Sequence, residues 1–256
     1  MLFSSIVYGP VQSRRLGVSL GMNLMPTDGK LCSFNCVYCE CGLNRPFPHP
    51  VLPTRVEVHD ALAARLQQLQ AEQIVPDVIT FSGNGEPTMH PEFEGIIADT
   101  CALRDRYCPN AKVSVLSNST QLGREDVVRA LWLCDNRILK LDSGITETMR
   151  AIDDPVNPAL TVEDIIAKLQ VFKGDFTLQT CFLRGMLPDG RLVDNTTGNE
   201  LMAWYEVVRL LQPRQIMIYV IDRATPVEAL QKISRQQMEA IAAPLLAEGF
   251  NVTISA

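Results

Sequence analysis

The sequence predicts an α/β fold, a partial parallel (β/α)6 TIM-like barrel with a short terminal strand. Two observations predict it. Short apolar runs alternate with segments of helical spacing along most of the chain, the pattern of parallel βαβ units, which the right-handed crossover winds one way. Polar residues and glycines also gather just after the apolar runs, where parallel α/β folds place their chemistry. Six strand–helix units and a final strand fall short of a closed eightfold barrel. The 256 residues, with no internal repeat, low-complexity tract or linker, are expected to form one domain, 1–256.

In order, the apolar stretch 16–25 reads as a buried first strand, and the cysteine-rich loop 30–42 follows it directly. Pro46, Pro48, Pro50 and Pro53 make an extended connector. Val58, Leu62, Leu66 and Leu69 then recur at helical spacing in a helix over about 55–73. A short strand, 78–81, ends in the glycine-containing turn 82–88. Helix 91–106 leads to strand 112–116, and helix 123–133 to strand 137–142. Helical segments at 145–151 and 161–173 are split by Pro155 and Pro158. Strand 176–181, a polar loop over 184–198, helix 199–211 and strand 215–221 follow. Helix 234–248, stopped by Gly249, precedes the last short strand, 250–254.

The strand ends collect the candidates: the cysteine loop, Gly83-Asn84-Gly85-Glu86, Ser117-Asn118, Asp142-Ser143, Gln179 with Cys181, and Asp222-Arg223. Cys32, Cys36 and Cys39 stand at C-x3-C-x2-C spacing, so one loop can wrap a single metal centre. Three thiolates leave one iron of a [4Fe–4S] cluster without a protein ligand, and an open position is what a catalytic metal keeps. Cys41 is a candidate fourth thiolate. A structural zinc loop is the competing reading, although Cys41 lies only two residues on, an awkward reach beside the usual paired spacing. Cys101, Cys108, Cys134 and Cys181 lack paired spacing and read as small buried hydrophobes.

Composition sets the outer bounds. A net charge of −6 leans away from nucleic acid as partner, since phosphate binding shows as a basic patch. Arg14-Arg15 is a small positive spot that reads as a solvated pair. No apolar run is long enough to cross a bilayer, and the N-terminal stretch has no basic n-region or cleavage site, so a cytoplasmic protein is expected. Eight cysteines in that setting point to metal or thiol chemistry. The N-x-[ST] matches at Asn118, Asn195 and Asn251 are then chance.

The cysteine spacing, with the aromatic Tyr38 just before the third cysteine, resembles the signature of the radical S-adenosylmethionine (radical SAM) superfamily. Gly83-Asn84-Gly85-Glu86 resembles that family's glycine-glycine-glutamate motif, with Asn84 in place of the second glycine. The runs 13–21 and 139–144, with Gln179-Thr180 and Asp222-Arg223, look like the stand-alone Fe–S oxidoreductases related to tRNA wyosine synthases. No cysteine stands upstream of Cys32, where wyosine synthases carry ligands of a second cluster.

The resemblance implies a [4Fe–4S] cluster on Cys32, Cys36 and Cys39 and S-adenosylmethionine (SAM) held near Tyr38, Gly83, Asn84, Gly85 and Glu86. Glu86 would face the methionine amino group and Asp142 the ribose, and Asn118 would contact cofactor or substrate. It also implies a low-potential electron donor, flavodoxin- or ferredoxin-like, and a 5′-deoxyadenosyl radical that abstracts a substrate hydrogen. A tRNA base, a peptide or protein side chain and a small metabolite all remain open as substrate. A non-catalytic metal-binding or thiol-containing regulatory barrel is the alternative.

Lys140 is the candidate catalytic residue. Strand alternation puts it on one face with Asp142 and Ile138, while Leu139 and Leu141 point the other way. A buried lysine whose pKa falls on desolvation suits a Schiff base or a proton relay. The competing role is a structural ion pair with an inward carboxylate, Asp142 itself or Glu86.

Overall fold

A computed structural model describes residues 2–13, 16–44 and 50–255. Arg14, Arg15, Pro46 and Pro48 lie outside the described residues. The chain forms two compact units, one of residues 1–32 and 44–137, the other of residues 33–43 and 138–256.

In the first unit, β1 (Val7–Ser13) pairs antiparallel with β2 (Gly17–Met22). The sequence reading missed β1, whose mixed run carries Gly9 and Pro10 and no clean alternation. Helix α1 (Arg55–Ala71) starts at a capping box, in which Thr54 accepts from the Glu57 backbone and Glu57 reaches back to Thr54. It buries the predicted stripe Val58, Leu62, Leu66 and Leu69. Strand β3 (Val78–Phe81), α2 (Phe93–Tyr107), β4 (Lys112–Ser117) and α3 (Glu125–Leu133) complete the unit. Strand β3 lies parallel between β2 and β4. All four β3 side chains are buried, as a strand covered on both faces requires.

Strand β5 (Asn136–Lys140) carries the chain from the first unit into the second. There α4 (Thr146–Asp153) and α5 (Val162–Leu169) are separated at Pro155 and Pro158, as predicted. Strand β6 (Thr177–Met186) runs five residues past its predicted end. The reason is local pairing: β7 (Leu192–Asp194) and a later strand, 230–232, both run antiparallel to its distal half. The loop expected over 184–198 therefore holds a strand. Helix α6 (Gly198–Leu211), β8 (Gln215–Val220), β9 (Leu230–Lys232), α7 (Arg235–Ala247) and β10 (Val252–Ser255) follow. Strands β5, β6, β8 and β10 are parallel neighbours in that order.

Each βα step predicted from the sequence is present, but Gln179 and Cys181, expected at a strand end, lie inside β6 because that strand runs on to Met186. Among the described residues no helix is long and apolar enough to cross a membrane. Cys108, Cys134 and Cys181 are buried and Cys101 is partly so. Burial pushes the thiols of Cys134 and Cys181 well up, which keeps them protonated and unreactive.

Candidate active site

Cys32 and the glycine–glutamate turn belong to the first unit. Leu31 forms an isolated parallel bridge with Gly85. Its N–H donates to the Asn84 carbonyl (2.9 Å) and its carbonyl accepts from the Glu86 N–H (3.1 Å). This bridge ties the residue before Cys32 to the middle of the turn. Gly85 has φ +148°, and a Cβ there would run into the Leu31 carbonyl oxygen, so only glycine fits the close approach.

Asn84, which stands where the family pattern has glycine, is fully buried. Its Nδ2 donates to the carbonyls of Phe3 and Pro26 (2.8 Å each), and its Oδ1 accepts from the Phe3 N–H (2.8 Å). The side chain therefore points into the protein and ties down the N-terminal segment. What it leaves for a cofactor is backbone.

Glu86 is 2% exposed. Oε1 accepts from Thr88 Oγ1 (2.5 Å) and the Thr88 N–H (3.1 Å), and Oε2 accepts from the Asn118 N–H (2.7 Å). Burial raises its pKa, opposed by these bonds and one from Ser117. All these donors are neutral. A buried carboxylate solvated by neutral dipoles is a good receptor for a ligand ammonium group. Asn118 also donates from Nδ2 to Cys32 Sγ (3.5 Å) while its Oδ1 accepts from Thr120.

In the second unit, Cys36 and Cys39 sit on a segment pinned by the end of α4. The N–H of Asn35 donates to the Asp153 carbonyl (2.8 Å), that of Val37 to Ile152 (2.9 Å), and that of Val156 to Ser33 (2.9 Å). Phe34 bridges Pro155. Pro155, read from the sequence as a helix breaker, thus sits where extended backbone must run beside the cysteine loop.

Lys140 is buried beneath this segment. Its Nζ donates to Cys36 Sγ (3.0 Å) and to Asp153 Oδ1, and lies 3.2 Å from Asp142 Oδ2. It also stands 4.9 Å and 5.1 Å from the ring centres of Phe34 and Tyr38. Ion pairing with Asp142 is the structural role the sequence reading weighed. The expected fall in the lysine's pKa does not occur. Burial alone lowers it, but the charges of Asp142, Asp153 and Cys36 hold it well above the ordinary value.

Asp142 is fully buried. It accepts from Tyr38 OH (Oδ2, 2.5 Å) and from the Cys181 N–H (Oδ1, 2.9 Å), besides facing Lys140. Burial, then the Asp142 charge, raises the Tyr38 pKa, so the phenol stays a donor. Asn195 was missed as a contributor. Its Nδ2 donates to the carbonyls of Asp142 (2.7 Å) and Cys181 (2.8 Å), and its Oδ1 accepts from the Leu183 N–H (2.9 Å). Nothing in the sequence distinguishes it from a loop asparagine, because its partners lie 12 to 53 residues away. Asp153 was also missed, because its side-chain partner Lys140 lies 13 residues away on a strand.

In a cysteine-bound [4Fe–4S] site each thiolate binds a different iron, and cysteines at C-x3-C-x2-C spacing offer thiolates for three of the four. Asn118 and Lys140 supply N–H donors to two of these sulfurs, the environment in which such clusters are held.

The family model for the radical SAM superfamily matches residues 28–188, a stretch that draws on both units. A Brachyspira hyodysenteriae protein named GTPase Obg is 28% identical over 236 residues, 91% of this chain and 32% of that protein. The chain thus spans about a third of that relative, whose name describes the longer protein. A UPF0026 protein of Helicobacter pylori J99 is 27% identical over 252 residues, 97% of this chain and 76% of that one. A radical SAM methyltransferase from Sphaerobacter thermophilus superposes with a TM-score of 0.65 at 15% identity, over 92% of this chain and 65% of its own. That likeness shows the fold class read from the sequence. With more than half of its length matched, the chain belongs to the radical SAM superfamily, whose enzymes use a [4Fe–4S] cluster and SAM.

Proposed function

We propose that the protein cleaves SAM reductively at a [4Fe–4S] cluster held by Cys32, Cys36 and Cys39, with Cys41 outside the ligand set. The observation that carries this reading is the Leu31–Gly85 bridge. Within one unit it ties the chain leading into the first cluster cysteine to a glycine–glutamate turn whose carboxylate is solvated by neutral donors alone. The chemistry the bound group supplies is one electron to the SAM sulfonium, yielding methionine and a 5′-deoxyadenosyl radical.

The chain's own residues bind and orient. Glu86 receives the ammonium of SAM's methionine, and the backbone of Gly83, Asn84 and Gly85 lies along it without a side chain in the way. Asn118 donates to Cys32 and braces Glu86 through its N–H. Asp142, whose oxygens serve Tyr38, Lys140 and the Cys181 N–H, organises the ribose side and needs Tyr38 to hold it in place. The family match draws on residues of both units. A low-potential flavodoxin- or ferredoxin-like donor would supply the electron. The radical's target is a tRNA base, a peptide or protein side chain, or a small metabolite, with the acidic charge leaning against tRNA. A non-catalytic metal-binding barrel is the competing function.

The test is anaerobic reconstitution, followed by electron paramagnetic resonance of the reduced cluster with and without SAM. Wild type and Cys41→Ala should both hold about four irons per chain. SAM should alter the spectrum, and dithionite should release 5′-deoxyadenosine. A cluster that forms and never responds to SAM would favour the non-catalytic barrel, and loss of the cluster in Cys41→Ala would make Cys41 a ligand.

A further inference from the structure

We infer that Lys140 is a positioning residue that sets the reduction potential of the cluster through Cys36, with Asp153 as its counterweight. The inference rests on the reading of Cys36 as a cluster ligand.

Its first support is how completely the cysteine segment surrounds the ammonium. Phe34, Cys36 and Tyr38 present a ring, a sulfur and a ring to the same Nζ. Cation–π attraction adds to the N–H···S bond. The stretch cannot drift from the lysine, because Asn35 and Val37 are bonded to the backbone of Asp153 and Ile152. Asp153 therefore holds the segment with its backbone and the lysine with its side chain.

The second support is donor arithmetic. An ammonium has three N–H groups. Two of them are donated to Cys36 Sγ and Asp153 Oδ1, and Nζ lies 3.2 Å from Asp142 Oδ2. A protonated amine held between two carboxylates is neither a nucleophile toward a carbonyl nor a mobile acid. It is a fixed positive charge against a cluster sulfur.

A fixed charge there has a definite consequence. Cluster potentials follow hydrogen bonds to the sulfurs, net charge and burial. One-electron reduction adds negative charge to the cluster and its thiolates, so a cation 3.0 Å from Cys36 Sγ stabilises the reduced form more than the oxidised form. Lys140 raises the potential. The carboxylate of Asp153 beside it cancels part of that charge and lowers it. The two residues must therefore act with opposite sign on the potential, although loss of either disturbs the same ion pair.

That opposition is the test. Midpoint potentials would be measured by redox titration followed by electron paramagnetic resonance, without SAM and in mildly alkaline buffer, on reconstituted wild type, Lys140→Met and Asp153→Asn. Lys140→Met should shift the reduction equilibrium at least tenfold toward the oxidised cluster, about 59 mV more negative for one electron. Asp153→Asn keeps an oxygen for the lysine and should shift it the other way. Two unmoved potentials, or two that move in the same direction, would overturn the inference. If Lys140→Met cannot hold a cluster, Asp153→Asn decides alone, and a potential that stays put or falls overturns it. A wild-type protein that never takes up a cluster would instead overturn the proposed function, and this inference with it.

Discussion

Replacing Gly85 with alanine tests whether the bridge to Leu31 organises the region around Cys32. Gly85 sits at φ +148°, which L-residues rarely adopt, and the new methyl would overlap the Leu31 carbonyl oxygen. Backbone strain of this kind costs roughly 1–3 kcal/mol. Overpacking against backbone that cannot rotate away adds roughly another 1–3 kcal/mol. Relief by moving Leu31 would break the Leu31–Asn84 and Glu86–Leu31 hydrogen bonds, worth about 1 kcal/mol each. Either route destabilises by about 4 kcal/mol, and at about 2–4 °C per kcal/mol for a chain of this size Tm falls by roughly 8–16 °C. The assay is thermal unfolding followed by circular dichroism, with Gly123→Ala as control. A Cβ at Gly123 meets nothing within 4 Å, so that variant should stay within about 0.5 kcal/mol of wild type. A Gly85→Ala protein that melts within about 2 °C of wild type would show that the turn is not held by this contact.

Two further outcomes follow from buried polar groups. Asn195→Ala strips a donor from the Asp142 and Cys181 carbonyls and an acceptor from the Leu183 N–H, all buried, and should cost about 3 kcal/mol in a urea titration. A loss under about 1 kcal/mol would mean those groups find other partners. For Asp135, burial pushes the pKa up, but the Val113 N–H and Arg104 outweigh it and leave the carboxyl below its ordinary value. A depressed folded pKa adds stability that is complete above the unfolded value, about 3.9, and is lost as pH falls through the folded one. Asp135→Asn should therefore be less stable than wild type at pH 7 and lose that deficit in acid, and an equal deficit at both would refute the assignment.

The fold was legible because each strand–helix step is written locally. Val78–Phe81 is a continuous apolar run, and Val58, Leu62, Leu66 and Leu69 mark one helix face. What escaped was structure made by pairing. Val7–Ser13, Leu192–Asp194 and Leu230–Lys232 are short or polar, and become strands only because β2 or the far half of β6 supplies hydrogen-bond partners. No period in their own sequence could reveal this.

The candidate site divides along the same line. Cysteine spacing and the Gly-x-Gly-Glu turn are local patterns, and both were readable. Lys140 and Asp142 shared a face by strand alternation, so their ion pair was readable too. Its electrostatics were not, because the deciding charge, Asp153, arrives from a helix end 13 residues away. Desolvation alone would have left a neutral amine, the state a Schiff base needs. One carboxylate beside Lys140 would contend with that burial, and two carboxylates and a thiol reverse it. The sign of a buried lysine's pKa shift is thus set by how many anions the fold delivers to it, and delivery is a tertiary fact. The same surroundings support the role proposed for Lys140 at the cluster rather than at the substrate: Cys36 and Asp153 accept from its Nζ and Asp142 lies 3.2 Å away, so its charge stands against the sulfur it touches.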